Sequence, residues 1–175
     1  MFIMMLTYQL MNEQRKAYRD AERTFLQTEQ VLTENQAELI KIKDEYTQRC
    51  FHAAETVSRI IDRDPDALDS LDELKKIAAE VDVDEIHIFD REGKIFSGTE
   101  PQYYGYTMDS GEQMSFFKPM LEDKSLMLVQ DITENTAETK LMQYSAVWSD
   151  SGEFIVQIGM NPVNVLKVTE KNELS

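Results

Sequence analysis

The spacing of apolar residues changes period along this chain. Tyr18, Phe25, Leu32, Leu39, Tyr46, Ala53 and Ile60 stand at seven-residue intervals. Ala21, Thr28, Asn35 and Ile42 lie three positions after the first four of them. Helix formers dominate here, and no proline or glycine occurs before Pro65. The pattern predicts one helix from about Met5 to Asp62, roughly 85 Å long at 1.5 Å per residue, carrying a heptad seam. So long a helix outruns any core that the rest of the chain can build. The seam therefore predicts a homodimer through the N-terminal helix, with Asn35 favouring an in-register pair. The alternative is a solitary amphipathic helix lying on its own domain.

Pro65 stops that helix. Ser70 then offers an N-cap with Glu73 at the capping-box spacing, and Leu71, Leu74, Ile77, Ala78 and Val81 follow helical spacing. At Glu85 the period drops to two. The stretch EIHIFDREGKIFSG, Glu85 to Gly98, reads as a hairpin turning at Asp90-Arg91-Glu92-Gly93. The same period returns in Leu126–Ile132, Met142–Trp148 and Phe154–Gly159, the last two joined by Ser149-Asp150-Ser151-Gly152. Asn161-Pro162 opens a last helix that runs toward Ser175. The predicted fold is α+β, an antiparallel five-stranded sheet with a long N-terminal helix and a short C-terminal exit helix. Its parts are residues 1–62, 63–160 and 161–175.

Between the hairpin and the later strands, QYYGYTMDSGEQMSFFKPM (Gln102 to Met120) has no regular period. Ser110 or Gly111 offers a start for a short helix. Tyr103, Tyr104, Tyr106, Phe116 and Phe117 crowd into this segment. Singly, each reads as a cap on a core; as a cluster, they read as the wall of a ligand pocket. Lys118, in apolar company, is either a partner for a ligand carboxylate or a protein acid, or an ordinary snorkelling lysine. Asp131 either holds an ammonium group of a ligand or faces solvent beside the turn at Thr133-Glu134-Asn135. Gln130 and Gln157 interrupt apolar strands, and each needs a partner if buried.

The formal net charge is −15, from 33 acids and 18 bases, with no compensating basic cluster. That argues against nucleic acid as a partner. Cys50, the single cysteine, makes neither an intrachain disulfide nor a zinc site and reads as a packing residue. Met1 to Leu6 is apolar but far short of the about 20 residues of a membrane span. It is either a greasy first turn or the trimmed end of a membrane helix. An enzyme is disfavoured. His52 and His87 have no evident ligating companions, no serine sits in a nucleophile elbow, and no glycine-rich loop cradles phosphate. No catalytic residue, metal ligand or cofactor is expected.

The hairpins IHIFDREGKIFSG (Ile86 to Gly98) and VWSDSGEFIVQIGMNP (Val147 to Pro162), behind a heptad arm, resemble the single Cache domains. These are PAS-like extracytoplasmic sensors of bacterial membrane receptors. The resemblance covers nearly the whole chain. It implies a membrane-anchored receptor with its sensor on the extracytoplasmic side of the cell membrane. A histidine kinase of a two-component system, a diguanylate cyclase, a phosphatase or a chemotaxis output would lie elsewhere. It implies a small-molecule ligand (an amino acid, carboxylate or amine) and signalling through helix packing in a dimer. By position, Tyr104, Tyr106, Phe117, Lys118, Asp131, Tyr144 and Gln157 become the candidate ligand-binding residues. The competing expectation is a structural dimerisation module that binds no small molecule.

Overall fold

The computed structural model describes residues 2–135 and 140–163, apart from the side chains of Phe2, Leu6 and Thr7. The expected exit helix beyond Val163 lies outside the described residues, as does Met1 of the apolar opening run. The chain divides between Ile42 and Lys43 into two compact units.

Helix α1 spans Phe2–Arg63, longer than predicted by a few residues at its start. In the first unit its seam is bare: Tyr18 is 81% exposed and Phe25 67%. Among the described residues no helix is long and apolar enough to cross a membrane.

The second unit is built around the antiparallel sheet. Its strands are β1 (Glu85–Phe89), β2 (Ile95–Gly98), β3 (Leu128–Val129), β4 (Thr133–Glu134), β5 (Leu141–Trp148) and β6 (Ile155–Met160). Five of them run in the order β2-β1-β6-β5-β3, and β4 pairs separately with β5. This is the predicted α+β architecture. The β1–β6 and β5–β6 pairs run without a break in register, with Ile86 opposite Ile158 and Ala146 opposite Gln157, while the β1–β2 hairpin slips by one residue between Ile88 and Phe89.

The predicted strand over Leu126–Ile132 is broken. Val129 stands opposite Ser145 and Thr133 opposite Met142, so the outer chain takes one more step than β5 between those pairs. The extra residue is a bulge between Gln130 and Thr133, and Asp131 stands there exposed.

Both sheet faces are covered. On one, Cys50, Ala53, Ala54, Val57 and Ile61 of α1 recur at three- and four-residue steps. They meet α2 (Leu71–Val81) and Ile86, Ile88, Val156 and Ile158 of the sheet. Cys50 is a packing residue: burial pushes its thiol up to about 12, and its Sγ lies against the Gln143 carbonyl. On the other face, Phe89, Tyr144, Trp148 and Ile155 meet Tyr103, Met108, Met114, Phe117 and Met120 of the irregular segment. Trp148 Nε1 donates to the Met120 carbonyl at 2.8 Å, pinning that segment down.

Helix α2 starts as its sequence dictates. Ser70 Oγ accepts from the Glu73 amide, satisfying a donor that the first turn cannot pair internally. Ser70→Ala is expected to lower stability by about 1 kcal/mol. Chemical denaturation checks this; an unchanged midpoint would mean the cap is idle.

Candidate functional site: a polar cavity under an aromatic roof

The polar residues of interest sit on the face opposite the helices. Glu85 and His87 are two apart in β1, so their side chains share that face. Gln157 lies directly across from His87 in the β1–β6 pair, and Tyr144 stands on β5 beyond it. The Tyr144 ring occupies space that only a glycine at 159 leaves open, since a Cβ there would come within 2.7 Å of a ring carbon.

These groups form a network. Glu85 Oε2 accepts from the Tyr144 hydroxyl at 3.0 Å and lies 3.2 Å from His87 Nε2; Lys140 Nζ stands 3.5 Å from Oε1. Burial by itself would push the Glu85 carboxyl up. The hydrogen bond and charge of His87, then Tyr144 and Lys140, outweigh burial and hold it below the usual carboxylate range. Burial, followed by the charge of Glu85, pushes the Tyr144 hydroxyl far up, so it remains a donor. The His87 ring packs against Tyr103 and Tyr144, with centroids 5.5 and 6.3 Å away.

Beneath the roof a cavity is lined by His87, Ile95, Tyr103, Tyr106, Gln113, Met114, Asn135, Tyr144 and Gln157. Its volume is about 20 Å³, room for roughly one water. Two buried polar atoms at this floor have no hydrogen-bond partner among the described residues: His87 Nδ1 and Gln157 Nε2. Buried polar atoms are nearly always paired, so these two mark a place for an additional molecule.

The roof is firmly tied at one end. Ile95 N donates to the Tyr106 carbonyl and Gly105 N to the Ile95 carbonyl, both at 2.8 Å, and Met108 N donates to Gly93 O at 3.0 Å. Further along, α3 (Glu112–Ser115) meets the outer strand through two long contacts between Gln113 and Gln130, each 3.4 Å. The same short helix buries Met114 in the core between roof and sheet.

Comparison with known proteins places this arrangement. No protein-family model matches the sequence, and no curated protein matches it either. Solved structures do match. The sensor domain of the Vibrio cholerae histidine kinase DctB aligns with a TM-score of 0.58 at 11% identity, over 81% of this chain and 60% of that one. The ligand-binding domain of the Campylobacter jejuni chemoreceptor Tlp3, solved with L-valine, gives 0.54 at 9%, over 80% and 63%. The Bacillus subtilis YkuI protein, which has an EAL domain and was solved with c-di-GMP and calcium, gives 0.55 at 13%, over 80% and 38%. The fold is that of the PAS-like Cache sensor domains. This chain spans about three-fifths of the DctB and Tlp3 chains it matches.

Within this Cache fold, three of the seven candidate residues, Tyr106, Tyr144 and Gln157, line the cavity. The other four stand elsewhere. Phe117 is fully buried in the core between roof and sheet. The Tyr104 side chain leaves the roof and its hydroxyl donates to the Gly98 carbonyl at 2.9 Å. Lys118 is exposed and pairs with Asp109 at 2.6 Å, a partner nine residues back in its own loop. Asp131 sits at a separate groove with Lys43, Thr47, Ile132 and Gln143. Sequence reasoning passes over Glu85 and His87. The usable signal is their two-residue spacing in a strand whose intervening Ile86 is core. No group of three or more His, Cys, Asp and Glu side chains among the described residues is placed to hold a metal ion.

Proposed function

We propose that this chain is the ligand-binding sensor domain of a membrane-anchored bacterial receptor, carried on the extracytoplasmic side. It detects a small molecule (an amino acid, carboxylate or amine) and has no catalytic role of its own. The reading rests on one observation: two buried, unpartnered polar atoms facing a cavity between the sheet and its aromatic roof. The cavity holds too little space for such a ligand as it stands, so binding requires the roof to shift and close over the occupant. A ligand that favours one roof position over the other shifts the population by that difference in affinity.

A thermal-shift screen with amino acids, mono- and dicarboxylates and primary amines tests this. At a ligand concentration of about 100 Kd, the expected stabilisation is about 2.7 kcal/mol. If no member stabilises the domain, the ligand-binding reading fails. The small cavity favours one other reading, a dimerisation module with a closed pocket, and that result would support it.

Transmission is proposed to run through a parallel homodimer of α1. The bare seam at Tyr18, Phe25 and Leu32 supports it, because apolar side chains in heptad register gain most by burial against a second copy. Charge at two of these positions, in Phe25→Glu with Leu32→Glu, is expected to weaken association at least about a hundredfold. Light scattering against concentration reads this out. A variant as dimeric as the parent would remove α1 as the interface.

A further inference from the structure

We propose that His87 and Gln157 together anchor the carboxylate of the ligand, and that this carboxylate binds with a proton on His87. The inference rests on the reading of the cavity as a ligand site and adds the ligand's charge and its coupling to pH.

The argument begins with which groups remain available. Glu85, the one carboxylate of the network, is engaged on both oxygens, by His87 and Tyr144 on one side and Lys140 on the other. It has little left for a ligand ammonium. The unpartnered atoms are nitrogens on two side chains only 4% and 1% exposed. His87 and Gln157 are directly opposed across the β1–β6 pair, so neighbouring side chains rise from the same face. Gln157 Nε2 is a donor under all conditions. A compact acceptor with two oxygens, a carboxylate, can engage both residues.

His87 adds the proton. Its Nε2 faces a carboxylate oxygen, which only accepts, so Nε2 carries hydrogen. In the neutral ring Nδ1 is then a lone pair and repels an incoming oxygen. With a second proton Nδ1 becomes a donor, and the ligand's negative charge meets a positive one. The one bond formed is N–H at Nδ1, its proton taken from solvent or buffer as the carboxylate enters. The titratable groups facing this ring are Glu85 from its own strand, Lys140 and Tyr144 from β5 and its approach, and Tyr103 and Tyr106 from the roof. Gln157 from β6 and Gln113 from α3 are neutral, and the β2 residue opposite His87 is a glycine, Gly98. Glu85 is the nearest acid, and the Tyr103 and Tyr144 rings stand tilted at 56° and 42° to the imidazole.

Calorimetry on the full chain tests this, with acetate, propionate and malonate against methylammonium and propylammonium, at pH 6 and pH 8. Each is run in two buffers of different ionisation enthalpy. Carboxylates are expected to bind more tightly at pH 6, by up to about tenfold per pH unit over the range where the free imidazole is neutral, with about one proton taken up per ligand at pH 8. His87→Asn, which keeps an N–H near the Nδ1 position but cannot titrate, is expected to bind carboxylate with no pH dependence. Gln157→Met is expected to lose at least about tenfold in affinity. Binding of the ammonium compounds alone would overturn the carboxylate assignment and leave the pocket standing. Carboxylate binding with no proton uptake by the parent chain would overturn the coupling, whatever the variants do. Failure of every compound to bind would overturn the ligand site itself.

Discussion

Gly98→Ala is expected to cost about 4 kcal/mol or more, enough to leave much of the domain unfolded if its stability is in the usual 5–15 kcal/mol range. Gly98 ends β2 opposite His87 with φ of +153°, a conformation that disfavours any side chain. An added Cβ would collide with the Ile86 carbonyl oxygen and reach 3.2 Å from His87 Cα. Both obstacles are backbone in the strand that carries the cavity floor, so neither can swing aside. The Ile86 carbonyl also accepts from the Thr99 amide at 2.8 Å, which fixes it further. Urea denaturation gives the number, with Phe96→Ala in the same strand as control, since Phe96 is exposed and its loss is expected to matter little. A Gly98→Ala protein with the parent's midpoint would show that the β1–β2 edge is more pliable than drawn.

The sheet was legible because each long strand keeps its two-residue period and its turns carry polar residues. The hairpin from Glu85 to Gly98 and the pair from Leu141 to Met160 form where the pattern puts them. The bulge after Val129 was not legible, because a one-residue slip leaves no mark on composition. Asp131 is off the cavity for a simpler reason: it alternates with Gln130 and so shares the helix-side face with Val129, beside Lys43, Thr47 and Gln143. Lys118 was attractive for standing between phenylalanines and a proline, yet one loop turn carries its ammonium to Asp109. Tyr106, Tyr144 and Gln157 share the cavity because each lies on the roof or on the face that the roof covers. His87 was weighed only as a metal ligand, and Glu85 only as the start of a strand, so their pairing on one face went unused. A sheet covered on both faces buries that face as well, and all five residues of β1 are buried.

Double coverage also divides the labour between the faces. The helix side packs through Leu74, Ile77, Ile86, Ile88, Val156 and Ile158, with neutral Gln143 and Ser145 bonded to α1. The roofed side carries the buried carboxylate of Glu85. Such groups contribute little net stability compared with apolar residues of the same size, so their presence points to use. A side chain moved on the roofed face shifts the strands that α1 rests on, and this makes the sheet itself the physical route between cavity and helix in the proposed mechanism.

Removing the Glu85 carboxylate is the second large effect expected. Glu85→Ala strips His87, Tyr144 and Lys140 of a common partner at a nearly dry site, and breaking one side of a buried pair costs about 3–5 kcal/mol. Glu85→Gln keeps the shape and an acceptor oxygen but presents an amide donor to its neighbours, so a smaller loss is expected. The pH profile separates charge from packing. Because the folded carboxyl is held below its ordinary value of 4.5, the carboxylate adds stability above that pH. This contribution disappears as pH falls through the lower folded value, where folded and unfolded chains both become protonated. The parent should therefore lose stability below about pH 4.5 more steeply than Glu85→Gln, with the two curves converging in acid. Denaturation midpoints from pH 7 down to pH 3 measure it. Parallel curves would mean that the Glu85 charge is not held by its neighbours, and the network of His87, Tyr144 and Lys140 would lose its electrostatic basis.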